Sequence, residues 1–407
     1  MRLVFVNRFF YPDHSATSQM LSDLVFGLRE TRSDIHVVTS RLLYDDTKIR
    51  LASEEEIAGV RIHRVWTSRF GRGTPLGRFF DYLTFYLPAF FYLLKVLRVG
   101  DVAIAKTDPP LLSIAVWCAV RWRRALLVNW VQDVFPEVAI AAGVRGVRGP
   151  VARALTWLRD LTMKPAAVNV VLSPRMADLF RARGIPDRSL AVIANWADGN
   201  AIRPLPAADN PLRLKWGLNG KFIAGYSGNL GRVYEFDTIL DAAELLQTDP
   251  SIVFLFVGSG LRHERVQAEA LRRRLPNVVF KPYQPREELA YSIPLPDVHL
   301  VSLLPVMEGF ILPSKFYGAI AAGRPIIFIG DRDGELAEEI ARYDCGFAVE
   351  PNDFRRLADV LRQLCRQPAI SHQLGRNARI AFENNFDKSH AILKWNALLS
   401  DLDVLNA

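Results

Sequence analysis

The chain has 407 residues, of which 50% are hydrophobic and 23% charged, and its formal net charge is +8 at neutral pH. This length is enough for two domains with separate cores, and this composition fits a globular chain and argues against a disordered one. The excess of positive charge lies in residues 1–200, which carry 27 Lys and Arg against 18 Asp and Glu, so we expect this half to meet an anionic partner.

Short runs rich in β-branched and aromatic residues alternate with helical stretches. In the first half they are Leu3–Asn7, Ile35–Thr39, Arg61–Val65, Val102–Lys106, Leu126–Trp130, Val168–Leu172 and Ala191–Ala194. In the second half they are Phe222–Tyr226, Val253–Val257, Val278–Lys281, His299–Leu303 and Ile326–Ile329. The alternation predicts an α/β protein with two Rossmann-like domains, whose parallel sheets face a central cleft.

The stretch 203–211 is rich in turn-forming residues, and we place the linker between the domains there. The predicted N-terminal domain is therefore 1–202, the C-terminal domain is 203–387, and a final helix occupies 388–407.

The N-terminus and the cysteines bear on cellular location. Only four apolar residues follow Met1 and Arg2, too few for a signal peptide. Cys118, Cys345 and Cys365 are far apart in the sequence, and we expect them to be buried free thiols. Both features favour the reducing environment of the cytoplasm.

Residues 79–97 form an apolar, strongly aromatic segment. Its length is close to that of a membrane span, but Asp81, Pro88 and Lys95 count against spanning. Arginines flank it at positions Arg69, Arg72, Arg78 and Arg98. Aromatic residues with flanking arginines are typical of a helix that lies at a lipid interface, while a core helix and a transmembrane helix remain alternatives.

Asp133 follows the predicted strand Leu126–Trp130. Ligands of α/β sheets bind at the carboxyl ends of the strands, so this carboxylate is a candidate for catalysis. A solvated aspartate in a surface loop is the alternative.

The loop after Phe222–Tyr226 has the composition of a phosphate-binding loop. Gly228 and Asn229 are small, which lets backbone N–H groups approach phosphate oxygens, and Arg232 can bind such oxygens bidentately. A turn with a surface arginine is the alternative. No Gly-x-Gly-x-x-Gly follows Leu3–Asn7, which argues against a nicotinamide-dependent dehydrogenase.

Residues 307–325 are the most informative part of the chain. Apolar residues recur at helical spacing from Phe316 onwards, so we predict a helix that begins near Pro313 or Ser314. Lys315 then lies in its first turn, where unpaired N–H groups and the helix dipole attract an anion such as a diphosphate. Glu308, a few residues upstream, would face the group attached to the diphosphate. An ordinary strand–loop–helix junction, capped by Ser314, is the alternative.

Together these motifs resemble the retaining GT-B glycosyltransferases of family 4, in the bacterial subgroup that carries Pro-Ser-Lys, as here at 313–315. The resemblance covers nearly the whole chain and includes Tyr11-Pro12, Thr107–Pro110, Val131-Gln132-Asp133 and Asn195–Asp198. It implies that Glu308 and Asp133 are catalytic. It also implies a donor site formed by Gly228, Asn229, Arg232, Tyr283, Gly309, Phe310, Ile311, Leu312, Ser314 and Lys315.

Two positions depart from the family pattern. Ser15, Ala16 and Thr17 occupy the loop that approaches the acceptor and the donor phosphate, where relatives usually carry Gly-Gly. Phe316 stands where many members have a second glutamate. The resemblance further implies that Tyr283 lies near the nucleotide base and that Lys388–Leu405 forms a helix crossing back to the first domain.

The resemblance implies a hexosyl-type glycosyltransferase in bacterial cell-surface polysaccharide biosynthesis. It would move a sugar, with retention, from a nucleotide-diphosphate sugar, a UDP-sugar before a GDP-sugar, to a lipid-linked acceptor. A catalytically silent nucleotide-sugar-binding partner of a membrane synthesis complex and a GT-B sugar-nucleotide epimerase are the alternatives.

The expected partners are the nucleotide-sugar donor, the lipid-linked glycan and the inner face of the cytoplasmic membrane, to which the protein would attach peripherally. Nucleic acid is not expected, because the sequence lacks zinc-finger spacings, RNP-like motifs and basic heptads. No cofactor is expected. The seven histidines show no metal-ligand spacing, so no metal is expected either.

Overall fold

The structure is a computed structural model that describes residues 1–44, 49–70, 75–107 and 109–406. Arg72 and Asp108, which belong to segments singled out in the sequence, lie outside the described residues, as does the side chain of Arg78. Contacts divide the chain into two compact units. Unit 1 comprises residues 1–194 and 389–407, and unit 2 comprises residues 195–388.

Unit 1 is built on an eight-stranded sheet covered by helices. Its strands are β1 (Leu3–Val6), β2 (Ile35–Ser40), β3 (Glu54–Ile57), β4 (Val60–Val65), β5 (Val102–Lys106), β6 (Leu126–Trp130), β7 (Val168–Val171) and β8 (Leu190–Val192). Its first helices are α1 (Ala16–Leu28), α2 (Pro75–Val96), α3 (Leu112–Arg123), α4 (Glu137–Ala141), α5 (Gly149–Met163) and α6 (Pro174–Ala182). The strand order is β3-β4-β2-β1-β5-β6-β7-β8, so the chain turns from one side of β1 to the other between β4 and β5.

The sheet of unit 1 is parallel except at one edge. β1 is buried along its whole length, as expected for a strand covered on both faces. β3, in contrast, pairs antiparallel with β4, and its sequence Glu-Glu-Glu-Ile was not predicted as a strand. Charged side chains on such an edge strand discourage pairing with another chain, which explains why its sequence looks unlike that of the buried strands.

Unit 2 holds a six-stranded, fully parallel sheet of order β11-β10-β9-β12-β13-β14. The strands are β9 (Phe222–Ser227), β10 (Ile252–Val257), β11 (Val278–Lys281), β12 (Val298–Ser302), β13 (Ile326–Ile329) and β14 (Gly346–Val349). The helices are α7 (Pro211–Lys215), α8 (Asp237–Leu245), α9 (His263–Arg272), α10 (Leu289–Ser292), α11 (Lys315–Ala321), α12 (Glu335–Arg342), α13 (Phe354–Arg366) and α14 (Pro368–Ala381). The strand order reverses between β9 and β12, and this switch point is where α/β sheets bind ligands.

The last helix, α15 (Lys388–Asn406), packs on unit 1. Trp395 is fully buried, and its ring centroid lies 5.0 Å from that of Trp130 at the end of β6. A Cβ atom on Gly27 of α1 would lie 2.3 Å from a side-chain carbon of Ile392, so a glycine is needed for α15 to approach α1 this closely.

α2 has two different faces. Asp81, Phe85, Ala89 and Leu93 are buried in unit 1 at intervals of four residues. Phe79, Leu83, Leu87 and Phe91, also at intervals of four, are exposed, and we call this set the apolar stripe. Among the described residues, α2 is the one helix whose length and composition would suffice to cross a bilayer. Because one face packs against the core of unit 1, the helix is both a core element and a surface element.

The cysteines differ from the expectation in one respect. All three are free, and Cys345 is buried and Cys365 partly so, but Cys118 is exposed on α3. The expectation of a buried thiol was therefore wrong for Cys118, whose position on the helix faces solvent.

Candidate functional site

The loops after β9 and β10 in unit 2 pack against each other through glycines. Gly228 has a φ of +119°, and its N–H donates to the carbonyl of Val257 at 2.8 Å. A Cβ atom on Gly258 would lie 2.2 Å from the carbonyl oxygen of Gly228, and one on Gly260 would lie 2.3 Å from Asn229 Oδ1. Gly258 and Gly260 are thus required for the close approach of the two loops.

Lys315, the first residue of α11, lies beside the glycine loop. Its Cε is 3.1 Å from the position that a Cβ atom on Gly228 would occupy. Its Nζ lies 3.7 Å from the ring centroid of Tyr234 and 5.0 Å from that of Tyr226. Burial lowers the pKa of its ammonium group to about 7. The lysine is therefore held over two aromatic rings and poised to gain a charge when an anion arrives.

Arg232 and Asn229 complete the loop after β9. Tyr226 Oη donates to the carbonyl of Asn229 at 3.0 Å, which fixes the start of the turn. Arg232 is exposed, and no carboxylate among the described residues forms an ion pair with it. Its guanidinium group is thus available to an anion that binds at the mouth of the loop.

Glu308 follows β12 on the other side of the switch point. Its Oε2 accepts a hydrogen bond from the backbone N–H of Glu335, the first residue of α12, at 3.2 Å. A Cβ atom on Gly334 would lie 2.4 Å from Glu308 Oε1, so the glycine makes room for this carboxylate. The N-terminal end of a helix attracts negative charge, and the hydrogen bond from Glu335 fixes the orientation of the Glu308 side chain.

The rest of the predicted loop leads from Glu308 to Lys315. Gly309 has a φ of +74°, with open space around the position of a Cβ atom. Phe310, Ile311 and Leu312 are partly exposed, and Ser314 is exposed. Ser314 precedes α11, but its side chain makes no capping hydrogen bond, so the alternative of a serine-capped junction does not describe this helix.

Phe316, at the position of the family's second glutamate, belongs to the core. It is 1% exposed, and its ring centroid lies 5.8 Å from that of Phe386. The aromatic side chain therefore points into packed apolar surroundings.

Tyr283 belongs to a different loop at the same edge of the sheet as the glycine loop. It follows β11, the edge strand, and β10 separates that strand from β9. Its side chain is 53% exposed, so it is not packed in the core. The structure brings together Gly228, Asn229 and Lys315. Burial raises the pKa of Tyr226, which lies under Lys315, and Tyr234 and Tyr283 are near enough to contribute to the rise.

The expectation of a loop at Ser15, Ala16 and Thr17 in unit 1 was wrong for two of the three residues, since Ser15 precedes α1 and Ala16 and Thr17 form its first turn, which is held from two sides. The buried carboxylate of Asp13 accepts a hydrogen bond from the Ser15 backbone N–H at 2.8 Å. Lys106, buried at the end of β5, donates to the carbonyl of Thr17 at 2.9 Å, and its Nζ lies 3.9 Å from the Trp130 ring centroid. The start of α1 is thus anchored to β5 and β6.

Asp133 is exposed three residues beyond the end of β6. With Thr107, Asn129, Phe135 and Arg159, it lines an open hollow of about 370 Å³ in unit 1. The hollow combines polar and apolar groups at the carboxyl edge of the sheet.

Several residues at these sites were not found from the sequence. Tyr234 supports Lys315, but nothing in the spacing of a loop residue marks it as a partner for a lysine. Lys106 could have been noticed, because a lysine that ends an apolar strand needs a specific environment. Asp331 and Asp333 form an Asp-x-Asp triplet after β13, close to Gly334. This triplet was not recognised in the sequence. The described residues nevertheless include no group of three His, Cys, Asp or Glu side chains that could hold a metal ion.

Two families match the chain. The family described as "Glycosyl transferases group 1" matches residues 211–381, and the family described as "Glycosyl transferase 4-like domain" matches residues 16–196. WbjE of Pseudomonas aeruginosa, named a probable glycosyltransferase, is 30% identical over 308 residues, which are 75% of this chain and 76% of WbjE. WcaI of Escherichia coli K12, named a putative colanic acid biosynthesis glycosyl transferase, is 25% identical over 276 residues, which are 67% of this chain and 67% of WcaI.

The fold is shared with solved structures. HepE of Anabaena, solved in complex with UDP-glucose, has a TM-score of 0.73 at 16% identity over 98% of this chain and 100% of HepE. A likeness at this identity shows the fold alone, and it confirms the predicted GT-B fold class.

Proposed function

The chain belongs to the group 1 glycosyl transferases, and we propose that it moves a sugar, with retention, from a UDP-sugar to a lipid-linked glycan. The observation that carries this proposal is the position of Lys315 beside the glycine loop at the switch point of unit 2. We place the reaction in bacterial cell-surface polysaccharide biosynthesis, which the name of WcaI supports.

We assign Lys315, Gly228 and Arg232 to the diphosphate of the donor. The aliphatic part of Lys315 lies beside Gly228, with its Cε 3.1 Å from the position of a Cβ atom there, so the glycine lets the lysine reach the loop. Arg232 supplies a second, exposed positive charge at the mouth of the loop. A UDP-sugar is favoured over a GDP-sugar because HepE, which has the same fold, was solved with UDP-glucose. Tyr283 is proposed to lie along the base.

The same cations serve the chemical step. When the bond to the sugar breaks, negative charge develops on the departing diphosphate, and fixed positive charges next to it lower the barrier. Lys315 acts from mostly buried surroundings, where a charge interacts more strongly than in water.

We assign Glu308 to the sugar and Asp133 to catalysis on unit 1. Glu308 is held by the N–H of Glu335 at the start of α12, so its carboxylate has a fixed position next to the loop that leads to Lys315. Asp133 is exposed at the rim of an open hollow at the carboxyl edge of the sheet. Ser15, Ala16 and Thr17, at the start of α1, are proposed to contact the acceptor.

We further propose that unit 1 binds the inner face of the cytoplasmic membrane from the cytoplasm. The apolar stripe on α2 is exposed while the opposite side of the helix is buried, the arrangement of an interfacial helix. Arg69 and Arg98 are exposed near the two ends of α2 and are suited to anionic headgroups.

A catalytically silent nucleotide-sugar-binding partner is the second candidate. The observation that favours it is Phe316, because its buried ring excludes a carboxylate from the position where many family members have one.

The test is incubation of the protein and a membrane lipid extract with a panel of UDP- and GDP-sugars. We expect release of nucleotide diphosphate with at least one UDP-sugar, and slower release with Glu308→Gln at unchanged UDP affinity. Glutamine keeps an oxygen for the N–H of Glu335, so this variant tests the charge and not the fold.

Other outcomes separate the candidates. Nucleotide binding without turnover for any donor would support the silent partner and contradict the transferase proposal. An altered sugar nucleotide formed without acceptor would instead indicate an epimerase.

A further inference from the structure

Three arginines line a hollow in unit 1 that the proposed donor site in unit 2 does not include. The hollow has a volume of about 250 Å³ and is lined by Arg41, Leu42, Arg50, Trp66, Thr67 and Arg69. Arg41 directly follows β2, and Arg69 lies four residues after β4. These strands are parallel, so the hollow opens at the carboxyl edge of the sheet. We call it the arginine hollow.

The three arginines concentrate positive charge at this hollow. Among the described residues, no carboxylate forms an ion pair with Arg41, Arg50 or Arg69. Asp81 of α2 packs beside the segment that carries Arg69, but its carboxylate already accepts hydrogen bonds from Ser68 Oγ at 2.6 Å and from the Phe70 N–H at 3.0 Å. Like charges that share one hollow repel each other, and a multivalent anion would relieve this.

The chemistry of guanidinium groups narrows the choice of anion. Arginine pairs bidentately with phosphate oxygens, and a diphosphate offers such oxygens on two neighbouring phosphorus atoms. Arg50 and Arg69 are exposed, and the Nε of Arg41 is held by the carbonyl of Leu51 at 3.0 Å. One arginine is therefore fixed in place, and two can adjust to the ligand.

The border of the hollow is apolar and continues onto α2. Trp66 is 59% exposed and Phe70 is 68% exposed. The segment that carries them is fastened to α2, since Thr67 Oγ1 donates to the carbonyl of Asp81 at 3.0 Å. The ring centroid of Phe70 lies 6.2 Å from that of Phe80, next to the start of the apolar stripe. A charged hollow that adjoins exposed aromatic rings matches a lipid with a phosphorylated head better than it matches a free anion.

We propose that the arginine hollow binds the diphosphate of the lipid that carries the acceptor glycan, while the apolar stripe receives its hydrocarbon chain. The inference rests on the proposed function in that it assumes a lipid-linked acceptor. It adds the group by which that lipid is recognised and the residues that recognise it. Donor binding uses unit 2 and does not depend on this hollow.

The experiment measures binding of farnesyl diphosphate, a soluble lipid diphosphate, by calorimetry. We expect the wild-type protein to bind it, and Arg50→Gln with Arg69→Gln to weaken binding by about tenfold or more. The matched control is Arg145→Gln with Arg153→Gln, which removes the same charge from exposed positions of unit 1 outside the hollow. The control should bind like the wild type.

Several results would overturn the proposal. Wild-type affinity in Arg50→Gln/Arg69→Gln would exclude the hollow, and an equal loss in the control pair would indicate a general charge effect. Inorganic pyrophosphate bound as tightly as farnesyl diphosphate would indicate a site for free anions, and farnesol bound as tightly would exclude a role for the phosphates. Because both arginines are exposed, we expect unchanged thermal unfolding of the variants.

Failure of this proposal is distinguishable from failure of the proposed function. UDP-glucose binding, measured in parallel, should be the same in wild type and in Arg50→Gln/Arg69→Gln. If no donor is turned over but farnesyl diphosphate binds through these arginines, the transferase proposal fails and the lipid site stands. If donors are turned over and Arg50→Gln/Arg69→Gln binds farnesyl diphosphate normally, the lipid site fails and the transferase proposal stands.

Discussion

Lys315 is the residue on which donor binding depends most in this account. We predict that Lys315→Ala weakens UDP-glucose binding by roughly tenfold to a hundredfold, since a hydrogen bond to a charged group contributes about 1.5–3 kcal/mol. Lys221→Ala is the control, because Lys221 lies before β9, at the opposite edge of the sheet, and donates to the carbonyl of Pro250. Calorimetry on both variants makes the comparison, and wild-type affinity in Lys315→Ala would refute the diphosphate site.

The lowered pKa of Lys315 gives a second prediction. With a pKa of about 7 in the free protein, the side chain is mostly neutral at pH 8 and mostly protonated at pH 6. A bound diphosphate favours the charged form of the lysine. Binding of UDP-glucose should therefore take up close to one proton per protein at pH 8 and only a small fraction of a proton at pH 6. Affinity should therefore fall as the pH rises through about 7.

Calorimetry in buffers with different ionisation enthalpies measures this proton uptake. The diphosphate of UDP-glucose does not titrate near neutral pH, so the lysine is the expected source of the signal. Lys315→Arg should abolish the uptake, because arginine stays charged. Equal uptake at pH 6 and pH 8 would contradict the assignment.

At the scale of single residues, the sequence predicted which residues contribute to the site better than it predicted which groups surround their side chains. Gly228, Glu308 and Lys315 were identified because small and charged residues that follow parallel strands are typical of ligand contacts. The contact of Lys315 with the rings of Tyr226 and Tyr234 could not be predicted, because it depends on how the loop that follows β9 folds in three dimensions. The contact of Glu308 with α12 likewise joins residues far apart in the chain.

At the scale of elements, the two glycine turns allow a matched test. Gly258→Ala would place a Cβ atom 2.2 Å from the carbonyl oxygen of Gly228, so the loops after β9 and β10 must separate. Gly309→Ala has open space and meets only the cost of a positive φ, about 1–2 kcal/mol. We predict a much larger fall in the urea unfolding midpoint for Gly258→Ala. Similar midpoints for the two variants would contradict the packed arrangement of these loops.

α2 provides the test of membrane attachment. Phe85 and Phe91 both belong to the segment expected at the lipid interface, but Phe85 is fully buried, so a charge there would unfold unit 1 and reveal nothing about lipid. Leu87→Glu with Phe91→Glu changes exposed positions only. We predict that this variant keeps its fold but no longer sediments with phosphatidylglycerol vesicles, whereas the wild type does so until high salt screens its arginines.

Two results would contradict this interpretation of α2. Vesicle binding that survives in Leu87→Glu/Phe91→Glu would exclude the apolar stripe as the contact. Wild-type protein that only strong detergent extracts from membranes would indicate a spanning helix.

The strands were predictable where burial on both faces requires a run of apolar residues. The strands covered on both faces are continuous apolar runs, and their positions were predicted to within one or two residues. β3 was not, because an exposed edge strand rich in glutamate lacks that pattern. β14 was not either, since Gly346–Val349 is short and only partly buried.

At the scale of the whole molecule, the GT-B fold and the family were predicted from the alternation of strands and helices together with a few loop motifs. The boundary between the compact units falls at residue 195, before the turn-rich stretch at 203–211, because residues 195–202 pack with unit 2. Ala197, for example, pairs with Asp387 in an isolated bridge. Composition marks where a chain can turn, but contacts decide to which unit a segment belongs.

The central claim is that this protein transfers a sugar from a nucleotide sugar to a lipid-linked acceptor. The most direct measurement supplies UDP-sugars labelled in the sugar together with a membrane lipid extract, and follows both products. We predict that label enters the solvent-extractable lipid fraction in step with release of UDP, and that Lys315→Ala slows both equally. Release of UDP while the label remains water-soluble, or no release from any UDP-sugar, would contradict it.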